Sequence, residues 1–371
     1  MTSSSFDLAV AGGGAIGMAC AWRAAGRGLR TIVLDAGDPG AWQVAAGMLA
    51  PVTEAEPGDA AAVELGLRAA RGFAGFCAEL AEASGQDPGH RPTGTLLVAR
   101  DRDEPEALDR ALAFRRELGL EVERLRQSQA RRAEPALAPT VRLALDAPGD
   151  HSVDPRRLVA ALTTAFERAG GTIRRARVAG VGTDSGGRAT GLRLDSGEVV
   201  RAAQVLIATG TGSVDAPDRI PVRPVKGQVV RLRDPRGPGL VERTVRGPDC
   251  YLVPRADGGY VLGATMEERP DTAPTAGGVY ELLRDMSEIV PGVLELELEE
   301  VRVGLRPGTP DNLPAIGPGA LPGLVWATGH FRNGILLTPV TADLVAAVLA
   351  GEPLPEFAGA ADPLRFAEVH A

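Results

Sequence analysis

Phe6-Asp-Leu-Ala-Val-Ala-Gly-Gly-Gly-Ala-Ile-Gly17 opens with an apolar run of strand length and passes straight into a glycine turn. An Ala-rich stretch of helical character follows to about Arg27, and a second apolar run, Thr31-Ile-Val-Leu-Asp35, closes the unit. Strand, glycine turn, helix, then a strand ending in an acid is the order of a dinucleotide-binding βαβ unit. Gly12 makes the tight turn, Gly14 lets a diphosphate approach the backbone, and Gly17 lets the helix pack on the strand. The diphosphate then rests on unpaired N–H groups at the helix start. Asp35 lies 18 residues beyond Gly17, near the ~20 expected of a carboxylate that holds a ribose hydroxyl pair.

The rest of the chain fits a globular protein around that unit. Its 371 residues are 44% hydrophobic and 24% charged, which allows two or three domains and excludes a disordered or fibrous chain. A net charge of -8 offers no basic footprint for nucleic acid or an anionic membrane surface. Lys226 is the only lysine. Three cysteines, Cys20, Cys77 and Cys250, have no CxxC spacing and no nearby His pair, so neither a disulfide framework nor a metal site is expected. The N-terminal apolar stretch lacks a preceding Lys or Arg and is broken by glycines, and no long apolar span follows. A soluble, cytoplasmic protein is expected.

Periodicity predicts helices over Asp59 to about Ser84 and Glu104 to Leu118, with a Pro/Gly-rich loop, Gln86 to Thr93, between them. Asp154-Pro155 predicts a helix start, and Gly170-Gly171 its end. Thr172 to Gly180, Gly191 to Leu194 and Glu198 to Arg201 read as a small meander returning to the buried strand Val205-Leu-Ile-Ala-Thr-Gly210. Pro221 to about Arg306 reads as strand-rich, with a half-exposed strand at Glu295 to Val303. Leu324-Val-Trp-Ala-Thr328 is another buried strand, leading through a glycine loop to a helix from about Pro339 to Ala350. The expected fold is α/β with an α+β second domain. A Rossmann-like nucleotide domain (1-85, 150-215 and 305-371) is interrupted by a substrate domain (86-149 and 216-304) built on a mostly antiparallel sheet.

Several further segments are distinctive: Ala45-Ala-Gly-Met-Leu-Ala-Pro51, Val153-Asp-Pro155, Pro224-Val-Lys-Gly-Gln228, Cys250-Tyr-Leu-Val-Pro254, Gly304-Leu-Arg-Pro-Gly-Thr309 and Gly329-His-Phe-Arg-Asn-Gly-Ile-Leu-Leu337. Together with Gly12 to Gly17, they make the chain resemble the FAD-dependent D-amino acid oxidase family almost end to end, most closely the glycine oxidases of thiamine biosynthesis. The resemblance implies noncovalent FAD and oxidative deamination of glycine or another small amino acid, by hydride transfer to the flavin with O2 reduced to H2O2. It also implies a homotetramer.

What the resemblance implies for single residues can be set beside their chemistry. FAD contacts fall on Gly12, Gly14, Ala15, Ile16 and Gly17, and on Asp35 and Ala36 at the ribose. Ala46, Gly47 and Met48 follow, with the main chain of Val178 at the adenine. His330, Phe331, Arg332, Asn333, Gly334, Ile335 and Leu336 present backbone N–H groups to the flavin pyrimidine ring, where negative charge grows on reduction. Arg306 matches the arginine that grips the substrate carboxylate, a task suited to a guanidinium fork, although an arginine at a strand end is otherwise an ordinary surface charge. Tyr251 matches a tyrosine that meets the same carboxylate, and Arg332 an arginine beside flavin and substrate. Met48 and Met266 match apolar residues around the pocket. No protein base is required, because the cofactor does the hard chemistry. No metal is expected.

The chain departs from the family pattern at two places. Ala41-Trp42-Gln43-Val44 stands where a Ser or Thr usually helps hold the cofactor, and Asp35 is one methylene shorter than the commoner Glu. Two alternatives stay open: a broader D-amino acid or sarcosine oxidase, and a dehydrogenase using an acceptor other than oxygen. A non-catalytic FAD-binding subunit is disfavoured, because a redox-silent scaffold has no reason to keep Tyr251, Arg306 and Arg332 together.

Overall fold

A computed structural model describes residues 6–100 and 104–370. Phe6–Ala11 lies at the centre of a parallel sheet, between Thr31–Asp35 and Val199–Ile207. Thr172–Arg175 extends the sheet beyond Thr31–Asp35, and Leu324–Thr328 extends it beyond Val199–Ile207. Ala315–Pro318 adds an antiparallel edge. The central strands are covered on both faces over Leu8–Ala11, Thr31–Leu34 and Val205–Ile207, which is why these stretches are continuously buried rather than alternating.

One face packs against helices Ala15–Gly26, Ala60–Ser84, Pro155–Arg168 and Thr338–Ala350 in a single apolar cluster that includes Met18, Phe73, Phe76, Phe166 and Val345. The other face is closed by strands Val178–Thr183 and Ala189–Leu194, whose Val178, Leu192 and Leu194 meet Ile32, Leu34 and Trp326. Asp154 caps the helix start as its sequence suggests, accepting from Arg156 N at 2.9 Å. Gly351, at φ 71°, ends the last helix.

A second sheet is ordered Glu297–Gly308, Arg223–Arg233, Gly259–Gly263, Tyr251–Pro254, Thr244–Arg246, Thr95–Ala99, Leu143–Ala147, Glu123–Arg126. All its neighbours are antiparallel except Thr244–Arg246 and Thr95–Ala99. A small third sheet joins Met48–Leu49, His151–Val153 and His90–Arg91.

Two local expectations change, and one short helix has no assignment from the sequence. Helix Ala276–Ile289 interrupts the stretch read as strand-rich and buries Leu282, Met286 and Ile289 against the second sheet. Helix Gln127–Ala133 is too short to show a clear period. Thr172–Arg175 belongs to the parallel sheet rather than to the meander, because Ala176 N turns to bond Asp35 O before Val178 begins the antiparallel run. Among the described residues, no helix is long and apolar enough to cross a membrane.

Candidate active site

The glycine turn is built to leave its helix end open. Gly12 has φ 105°, and a Cβ there would stand 2.5 Å from Ala208 O; one at Gly17 would stand 2.0 Å from Gly12 O. Neither position admits a side chain. Gly14 is the N-cap and offers no side-chain partner to the first-turn amides, so these point outward as an anion cradle. Asp35 accepts from Gly13 N and from Gly37 N at 2.6 Å, which fixes its carboxylate beside the turn. Ala36 continues from it, and Val178 begins its strand nearby, 8% exposed.

A second backbone cradle lies at the same carboxyl end of the parallel sheet, after its strand Leu324–Thr328. After Leu324–Thr328 the chain turns at Gly329, with φ 74°, and at Phe331, with φ 46°. A left-handed Phe is uncommon, and such backbone tends to mark sites where geometry is imposed by function. Phe331 N bonds Pro307 O at 2.9 Å, and His330 bridges Gly308, so this loop abuts the end of the strand bearing Arg306. Asn333 N and Leu337 N bond within the loop, whereas the amides of Gly334, Ile335 and Leu336 have no main-chain partner among the described residues. His330 is buried, its Nε2 lies 3.0 Å from Thr341 Oγ1, and burial pushes its imidazole down to about 3. It is a neutral structural group.

Arg306 and Tyr251 come together on two glycines of the second sheet. A Cβ at Gly227 would meet the Arg306 guanidinium at 2.4 Å, and one at Gly263 would meet the Tyr251 hydroxyl at 2.6 Å. The Arg306 Nη1 donates to Lys226 O at 3.3 Å and Thr265 O at 3.2 Å. Burial pushes the Arg306 guanidinium below its usual range, and the neighbouring Arg332 adds to this while Tyr251 opposes it. Burial raises the Tyr251 hydroxyl, against the pull of Arg306. The three residues thus form one cluster, with Arg332 2 residues before Gly334, the first of the three open amides of its own loop. Its Cζ stands 5.6 Å from the Phe331 ring centre.

Met48 joins Tyr251 and Ala264 around an apolar cluster of Val44, Ala46, Val229, Val253 and Val261. Met266 does not; its side chain is 61% exposed on the loop after Gly263. Ala46 O accepts from the buried Arg255 at 2.6 Å, and Gly47 O accepts from Val153 N at 2.9 Å. The chain beyond Met48 is anchored by buried Asp150, which accepts from Val52 N and Thr53 N, and by Arg115, which donates to Val52 O and Thr53 O. That turn brings Glu54 to 3.3 Å from Arg246 and Glu56 to 3.8 Å from Arg332. Glu54 and Arg246 have no local sequence signal, since their pairing depends on a fold contact across 192 positions.

Residues 7–348 match the model of the FAD dependent oxidoreductase family called DAO. The chain belongs to that family. This FAD-dependent oxidoreductase is 34% identical to glycine oxidase of Geobacillus kaustophilus over 92% of each chain. The crystal structure of glycine oxidase from that organism superposes with a TM-score of 0.90 over 97% of this chain and 99% of the other, at 32% identity. Hydrogen cyanide synthase subunit HcnC of Pseudomonas aeruginosa is 31% identical over 95% of this chain and 94% of its own. The bifunctional protein ThiO/ThiG of Synechocystis is 31% identical over 97% of this chain, which spans 54% of that protein.

The residues fit FAD. Two glycines that no side chain can replace frame an open helix end, an acid stands beside that turn, and amides without a main-chain partner line the second cradle. In place of a hydroxyl residue, the Trp42 ring lies against Gly14, its Cδ1 3.4 Å from the position of a Cβ. Cys20, Cys77 and Cys250 are all buried, and burial pushes the Cys77 and Cys250 thiols up to about 12. Such thiols are poor nucleophiles, so acid precipitation of the oxidoreductase is expected to release all yellow colour into the supernatant. A yellow pellet over a colourless supernatant would show a covalent flavin.

Proposed function

We propose that this oxidoreductase is a glycine oxidase, converting glycine and O2 to iminoacetate and H2O2, with sarcosine and small D-amino acids as further substrates. The observation that carries this reading is the half-buried Arg306 guanidinium, aimed by two carbonyls and flanked by Tyr251 and Arg332 beside the loop from Gly329 to Leu337. FAD, when bound, supplies a two-electron acceptor. Arg306 binds the substrate carboxylate through a two-point fork, which fixes the Cα direction, and the Tyr251 hydroxyl adds a third contact. Met48 and its apolar neighbours exclude water from that side. Amides of Gly334, Ile335 and Leu336, with the start of helix Thr338–Ala350 behind them, would favour negative charge on a flavin held against this loop.

The likeness to glycine oxidase and to ThiO/ThiG supports a role in supplying iminoacetate for the thiamine thiazole. On this reading the protein is a cytoplasmic homotetramer. FAD is held by 1-85, 150-215 and 305-371, and substrate is covered by 86-149 and 216-304. A second reading, an amine-oxidising subunit that passes electrons to an acceptor other than oxygen, draws on the full-length likeness to a hydrogen cyanide synthase subunit.

Mixing the yellow protein with glycine under anaerobic conditions is expected to bleach the flavin, and admitting air to restore it with formation of H2O2. Bleaching only by D-alanine, D-proline or sarcosine would move the substrate. Bleaching by glycine with oxygen uptake at baseline, while a dye is reduced, would select the second reading.

A further inference from the structure

The single lysine of the chain, Lys226, has a fully buried side chain. A buried ammonium persists only where it is paired. Its Nζ donates to Asp271 Oδ1 at 2.7 Å and Ala273 O at 2.8 Å, and Glu267 Oε2 stands at 3.8 Å. All three partners belong to the segment 264–275, which links strand Gly259–Gly263 to helix Ala276–Ile289. Main-chain bonds between Lys226 and Glu267, at 2.8 and 3.0 Å, add to the clasp. Gln228, on the same strand, reinforces it by donating to Glu267 Oε1 at 2.8 Å and accepting from Thr275 N at 2.7 Å.

The clasped segment reaches the substrate clamp directly. Of the two carbonyls that aim the Arg306 guanidinium, one belongs to Thr265 and the other to Lys226 itself. Without the ammonium, the Asp271 and Glu267 carboxylates would share the exposed Arg269 as their only paired cation. Their repulsion would lift the segment and carry the Thr265 carbonyl away.

We propose that Lys226 is a positioning residue for substrate binding: by pinning the segment 264–275 through Asp271, Glu267 and the Ala273 carbonyl, it holds the carbonyls that direct the Arg306 fork at the substrate carboxylate. The inference rests on Arg306 being the carboxylate grip. It assigns the buried charge a task in recognition beyond filling space.

The test uses the FAD-loaded enzyme and glycolate, a carboxylate without an amine, titrated by its perturbation of the visible flavin spectrum. Lys226→Met, which keeps the chain length and removes the charge, is expected to weaken glycolate and raise the substrate KM by about tenfold, with kcat changed less than about twofold and FAD content intact. Asp271→Asn, on the solvent side of the clasp, is expected to act in the same direction and serves alone where Lys226→Met does not fold. On residual kcat/KM, Arg306→Ala combined with either variant should be no worse than Arg306→Ala by itself, because both act through one guanidinium.

Wild-type glycolate affinity in Lys226→Met, or in Asp271→Asn where that variant stands in, would overturn the proposal. A fully additive double variant would do so as well, by showing that the lysine acts elsewhere. Unchanged glycolate binding in Arg306→Ala would overturn the clamp itself and the inference with it. A weakened Arg306→Ala beside an unaffected clasp variant would remove the inference alone.

Discussion

Arg306→Ala is expected to raise the KM for glycine roughly 100-fold, and to lower kcat/KM by more, while the protein stays yellow. The guanidinium is half-buried beside Tyr251, with Nη1 engaged by the Lys226 and Thr265 carbonyls. A guanidinium carries five donors, so further N–H groups remain for a ligand. Truncation removes a charge-assisted pair from a desolvated site, a loss of about 3 kcal/mol, which is close to two decades in binding. It also removes the two-point contact that directs Cα. Arg306→Lys should recover part of the binding and little of the direction, since an ammonium is a point charge.

Gly227→Ala should imitate the loss from beneath. The new Cβ would stand 2.4 to 2.6 Å from three guanidinium atoms, and the flexible end of Arg306 would move while the backbone stays. Folding and FAD content should match wild type as KM rises by about tenfold. A KM within about threefold of wild type for Arg306→Ala would take this residue out of the site.

The second large effect is expected at the glycine turn. Gly12→Ala should yield a colourless protein or one that loses FAD on gel filtration, with a melting temperature below wild type. At φ 105° an L side chain is strained whatever the space, and here the Cβ would also press on Ala208 O at 2.5 Å and Ala208 C at 2.9 Å. The contacts are backbone on both sides, so relief requires the central strand and its neighbour to part just where the diphosphate lies. Gly26→Ala is the control. A Cβ there meets nothing within 4 Å, and the change should be neutral or stabilising by roughly 0.5–1 kcal/mol. Equal flavin content in Gly12→Ala and Gly26→Ala would contradict the cradle.

The nucleotide unit was legible because its information is local. Strand, glycine turn, helix and acid succeed one another within 30 positions, and each glycine has a steric reason that a sequence displays. The cap at Asp154 was legible for the same reason. Helix Ala276–Ile289 was hidden by its setting: Leu282, Met286 and Ile289 have helical spacing, but Gly277 and Gly278 weaken the start and strands surround it. The floor under Arg306 was illegible on principle. Gly227 faces the arginine only because Lys226 pairs with Leu305 and Val225 with Arg306, a register set by the whole sheet. Glu54 and Arg246 meet by the same kind of long-range closure.

The burial of the one lysine leaves the protein's exterior with guanidinium groups as its only lysine- or arginine-type cations. Guanidinium groups keep their charge far into alkali, whereas lysines ordinarily lose theirs near about pH 10. The alkaline limb of the titration curve therefore lacks the step that surface lysines ordinarily contribute. Amine-directed reagents find no lysine on the surface, so coupling a support or a label through lysine side chains fails on the folded protein.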